Sequence, residues 1–132
     1  MDKLGYIPGD LVMVKESALR FAKDKTFKVI SSFISGFVKV VMLNDSNITY
    51  TISNNAIRPI PLTSEILEKN GWRSINGKYA LKIKNANYVV LEFTEDGIYT
   101  YINENTMLFT IKYIHELQHL LFGLGLNSEM EV

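Results

Sequence analysis

Apolar residues recur along this chain with two periods, and the longer one appears in a single extended stretch. Ile111 to Leu126 reads IKYIHELQHLLFGLGL. Projected at about 100° per residue, it gathers Tyr113, Ile114, Leu117, Leu120, Leu121 and Leu124 on one arc, with Ile111 and Phe122 at its edges. The opposite wedge holds Lys112, His115, Glu116, His119 and Gly123. That spacing predicts an amphipathic helix, with Ile114, Leu117, Leu121 and Leu124 turned inward and the wedge turned to water.

Elsewhere the apolar runs are short, alternating or β-branched, and turn residues bound them. Pro8-Gly9-Asp10 leads into a strand over 8–14; Phe27 to Ser32 and Phe37 to Leu43 follow, separated by Ser35-Gly36. Asn44 to Asn47 has turn chemistry, Ile48 to Ile52 alternates with threonines, and Ala56 to Ile60 closes between prolines. Thr63 is placed to cap a short helix over Ser64 to Lys69, stopped by Asn70-Gly71. Strands are expected over Trp72 to Ile75, Lys78 to Ile83, Tyr88 to Phe93 and Ile98 to Ile102. The Asn76-Gly77 and Asp96-Gly97 pairs are hairpin turns. Met107 to Thr110 reads as a last strand or as the lead into the helix.

Five short strands over residues 8–60, with a Gly-Asp before the first and a short one last, resemble a Src-homology-3-like (SH3-like) barrel of the KOW or Tudor kind. The resemblance implies a binding module, with no chemistry of its own. The stretches PLTSEILEKNGW and IKYIHELQHLLFGLG are similar to segments of small uncharacterised proteins of Bacteroidales bacteria and their bacteriophages, over roughly residues 59–126. In such proteins Asn often stands where this chain has His119, and Gln where it has Glu116. The fold class expected is α+β: an N-terminal small five-stranded β-barrel in residues 1–61, then a helix–antiparallel meander–helix unit in residues 62–132. Pro59-Ile60-Pro61-Leu62 is the boundary.

Composition narrows the function classes. Apolar residues make up 47% of the 132 and charged residues 21%, the balance of a folded chain. Fourteen basic side chains match fourteen acidic ones, so no global field draws in nucleic acid. The first 61 residues carry eight bases against five acids and the remainder six against nine, a small opposition of sign. Without cysteine there is neither a disulfide nor a thiolate metal site. No apolar run approaches the roughly 20 residues that span a bilayer, and MDKLGYIPGD lacks the core of a signal peptide. A cytoplasmic location in a bacterial host cell is expected, or a virion if the chain is phage-encoded.

One spelling suggests catalysis. His115-Glu116-Leu117-Gln118-His119 sets two histidines one helical turn apart, the zinc-peptidase pattern with Glu116 as general base. Two arguments weigh against it. Lys112, one turn before Glu116, would repel a cation. The chain also has no third histidine, so a carboxylate must complete the site. Glu129 and Glu131 lie in a short tail, which leaves Glu92, Glu95 or Asp96 upstream. The resemblance implies that the spelling is accidental, and no cofactor is expected, zinc being the alternative.

The remaining candidates have plain readings beside sharper ones. Trp72 at a helix stop reads as core, and Tyr79, Tyr88, Tyr99 and Tyr101 as cross-strand packing rather than an aromatic surface. Arg20, Lys23, Lys25 and Lys28, around Phe21, read as a solvated loop before a phosphate-binding surface. The function expected is a non-enzymatic binding or adaptor protein with another protein as partner. The alternatives are a minimal zinc hydrolase on His115, Glu116 and His119 and, more weakly, a nucleic-acid module on the basic loop; no membrane partner is expected.

Overall fold

The structure, a computed structural model, describes residues 6–15, 25–32, 36–83, 87–103 and 105–132. Its class is α+β: two antiparallel five-stranded sheets and, among the described residues, two α-helices. Arg20 and Lys23 lie outside the described residues.

The first sheet is built from β1 (Leu11–Val14), β2 (Phe27–Ser32), β3 (Phe37–Met42), β4 (Asp45–Ser53) and β5 (Ile57–Pro59), in the order β4-β3-β2-β1-β5. Alternation decides what it buries. Val12 and Val14 from β1, Phe27 and Val29 from β2, and Val38 and Val40 from β3 meet Ile52 and Ile57 in one cluster. These side chains are mostly β-branched and suit a pleated, enclosed surface. β4 is longer than its alternating core implies, because the ladder with β3 continues past a register shift to Met42↔Asp45. Among the described residues no ladder joins β4 to β5.

The second sheet comprises β6 (Arg73–Ile75), β7 (Lys78–Lys82), β8 (Tyr88–Thr94), β9 (Gly97–Ile102) and β10 (Thr106–Ile111), paired in sequence order. Asn76 and Gly77 both have positive φ, 52° and 81°, as a two-residue I′ turn requires. Gly97 is needed for two reasons: its φ is 128°, and a Cβ there would come within 2.7 Å of the Thr110 methyl carbon.

Helix α1 (Ser64–Lys69) begins where Thr63 Oγ1 accepts the Ile66 amide, and helix α2 spans Ile114–Gly123. Both cover one face of the second sheet. Leu67, Trp72, Ile114, Leu117, Leu120 and Leu121 close over Val89, Leu91, Ile98 and Ile111. Trp72 is thus core, and its amide bonds back to the Leu67 carbonyl. The helix predicted over 111–126 is shorter at both ends. Ile111 completes the ladder with Ile98, and beyond Gly123 the chain turns out, leaving Leu124 exposed instead of inward.

Strand β1 belongs to the first sheet but contributes to both cores. Leu11 belongs to the second cluster and Val12 to the first, because successive side chains point to opposite faces. Bonds from Leu62 N to Lys112 O and from Ile114 N to Ile60 O tie the segment between β5 and α1 to the start of α2.

Candidate functional site on the last helix

The N-terminus of α2 has unsatisfied amides, and Glu116 answers them. Its Oε1 accepts from the backbone N–H of Lys112 at 2.7 Å and of Tyr113 at 3.0 Å. One oxygen of the candidate general base is therefore engaged in capping.

Where the wedge was expected to face water, Lys112 and Gly123 do so, but the run-in to β1 covers the part around His115 and His119. His115 is only 3% exposed, a correction to the surface position its projection implied. It is packed among aromatic rings. Tyr113 stacks on it at 6.0 Å and 13°, the Tyr6 centroid lies at 5.1 Å, and His119 stands edge-on at 5.6 Å and 81°. Its Nδ1 is buried without a hydrogen-bond partner among the described residues. Burial lowers its pKa from the ordinary histidine value, with Asp10 and Glu116 pulling the other way.

His119, one turn on, is partly open, and its Nε2 lies 2.9 Å from both oxygens of Asp10. The Asp10 side chain is 2% exposed and also accepts the Ile7 amide at 2.9 Å. The bond to Asp10 raises the His119 pKa, against the opposing effect of burial. Among the described residues, the carboxylate from outside the helix that pairs with it is thus Asp10. Glu95 and Asp96 stand exposed in the β8–β9 turn, and Glu92 Oε1 accepts the Tyr101 hydroxyl at 3.2 Å. Among the described residues no group of three His, Cys, Asp or Glu side chains is set to hold a metal ion.

Gln118 is the residue that the sequence reading passed over. Its Oε1 accepts the Leu11 amide at 2.9 Å, while Nε2 donates to Gly9 O at 2.9 Å and Ser128 O at 3.1 Å. Helix α2 is pinned to the entry of β1 by Gln118 and His119 side by side. The Gly-Asp before the first strand was the available signal: a carboxylate there stands next to a buried strand and needs a partner.

Beside this joint, β10 and α2 leave an open groove of about 570 Å³. Leu108 and Phe109 form one wall, and Glu116, His119, Leu120, Gly123 and Leu124 the other. Phe122, 68% exposed, stands at the same end of the helix. Nothing lies within 4 Å of where a Cβ on Gly123 would project. Of the basic set, Lys25 is exposed and Lys28 half-buried in β2.

Fold and site together define an α+β protein of two antiparallel sheets joined through a histidine–aspartate contact. Compared with protein-family models, curated proteins and solved structures, the chain matches none. No helix among the described residues is long and apolar enough to cross a membrane.

Proposed function

We propose that the chain is a non-enzymatic binding module whose partner is another protein, seated in the groove between β10 and α2. The groove itself carries this reading: mainly apolar walls, beside an exposed Phe109 and Phe122, are the composition of a protein-binding patch. The strand order β4-β3-β2-β1-β5 with a single enclosed cluster supports treating the first sheet as the small barrel of an adaptor. A phage or mobile-element setting rests on the resemblance of residues 59–126 alone.

The same helix supports a hydrolase less well. Glu116 caps α2, and the Nε2 of His119 faces Asp10. A zinc site would need His119 to exchange that contact for the metal.

The test is a photo-crosslinking residue placed at 109 or 122 and, as control, at 95, in cells producing the chain. One discrete partner adduct from 109 and 122, absent from 95 and lost when Gly123→Leu fills the groove, is the expected result. Adducts from 109 and 122 that match the control, or that survive Gly123→Leu, would remove the groove from the account.

A further inference from the structure

The second sheet turns its other face away from the helices, and the register decides what stands there. Arg73, Ala80, Val90 and Tyr101 share one row across four strands. Lys82 pairs with Tyr88 in the row on one side, and Glu92 with Tyr99 in the row on the other. Lys78, two residues before Ala80, is on the same face, opposite Ile75. None of these residues belongs to either core cluster. Three tyrosines and three cations therefore occupy one sheet surface, on strands about 4.8 Å apart.

Tyr88 is 38% exposed, and Lys78 Nζ stands 5.8 Å from the centroid of the Tyr101 ring. Tyr99 and Tyr101, two residues apart on β9, are separated by about 7 Å, so each ring can take a separate planar group. Arg73, Lys82 and Tyr88 border one shallow cleft of about 430 Å³. Glu92 is the one carboxylate among these positions, and its oxygen already accepts the Tyr101 hydroxyl. The zero net charge of the chain conceals this: the excess of cations is local to the face.

We propose that this face binds single-stranded nucleic acid, with bases stacking on Tyr88, Tyr99 and Tyr101 and phosphates meeting Arg73, Lys78 and Lys82. The charge excess calls for a polyanion, and the rings, Tyr88 exposed and Tyr99 and Tyr101 half-buried, reward one whose units have flat π-faces. A duplex keeps its base faces inside its own stack and cannot use the rings. The site lies on the reverse of the sheet from α2, so it stands or falls independently of the groove.

Fluorescence anisotropy with a labelled oligothymidylate of about 12 nucleotides tests this. Saturable binding is expected to weaken roughly 20-fold between about 50 and 200 mM salt, the dependence for three phosphate contacts on a single strand. Tyr88→Ala should weaken binding about tenfold and Tyr88→Phe should not. Lys82→Glu should weaken it by reversing one of the three charges, while Phe109→Ser in the groove leaves it unchanged. The proposal fails if no saturable binding occurs by about 100 μM protein. It also fails if a duplex or a polyglutamate peptide binds equally well. Should Tyr88→Ala and Lys82→Glu both bind like the parent, the face is not the site.

Discussion

The two sheets bury their apolar residues by different means, and the chemistry of the chain follows from that difference. The first encloses Val12, Phe27, Val29, Val38 and Val40 with side chains drawn from its own strands. The second has one face covered by α1 and α2 and the other turned away from them. Short β-branched side chains complete the first core without any long polar group. At the seam, the backbone of Gly9 and Leu11 and the carboxylate of Asp10 meet a helix side-on, and only long polar side chains reach them. The polar residues of this seam collect where one element ends against another.

Core truncation should have the largest effect. Leu117→Ala, at a fully buried position under α2, is expected to cost roughly 3 kcal/mol in urea unfolding. Because β1 supplies both clusters, Leu117→Ala and Val40→Ala should each melt in one transition. Two separated transitions in either variant would show that the sheets unfold independently.

The seam comes next. Gln118→Leu keeps the size but leaves the Leu11 amide and the Gly9 carbonyl without this partner, for a loss of about 2 kcal/mol. A loss below about 0.5 kcal/mol would mean that water replaces the amide and that the seam is not a dry joint.

Capping gives smaller effects. Thr63→Ala should cost about 1 kcal/mol at the start of α1. Glu116→Ala should cost a similar amount, while Glu116→Gln, whose amide oxygen can accept the same two N–H groups, should stay within about 0.5 kcal/mol. Equal losses for Ala and Gln would assign the effect to charge instead of capping.

The smallest effects lie in pH, and the two histidines act in opposite directions. His119, with its pKa raised, adds stability that is complete below the unfolded value of about 6.5 and is lost as pH rises through its folded value. His115, with its pKa lowered, adds stability that is complete above about 6.5 and is lost as pH falls through its folded value. His119→Asn should therefore flatten the stability curve on the alkaline side of about 6.5, and His115→Phe on the acid side. Stability profiles of the two variants that run parallel to the parent would contradict both assignments.

Much of the architecture was legible in local pattern. Asn76-Gly77 and Asp96-Gly97 marked their hairpins, Thr63 and Asn70-Gly71 bounded α1, and Trp72 read as core. What local pattern could not supply was the environment of the wedge on α2. A helical projection sorts residues by the hydrophobicity of one element, and cannot register that a segment more than 100 residues earlier covers His115 and pairs with His119. For the same reason, Gln118 looked like an ordinary polar residue on a helix. The open face of the second sheet was hidden differently. Its tyrosines were visible, but only the strand register joins them with Arg73, Lys78 and Lys82.

The polar residues of α2 serve as a joint to the first sheet, with His119 held by Asp10. The most direct test of this joint is an NMR titration of the His119 ring in the parent and in Asp10→Asn. A midpoint above about 6.5 in the parent, moving down in the variant, is the expected result. A His119 midpoint that Asp10→Asn leaves unmoved would contradict the joint and return both histidines to the search for a ligand.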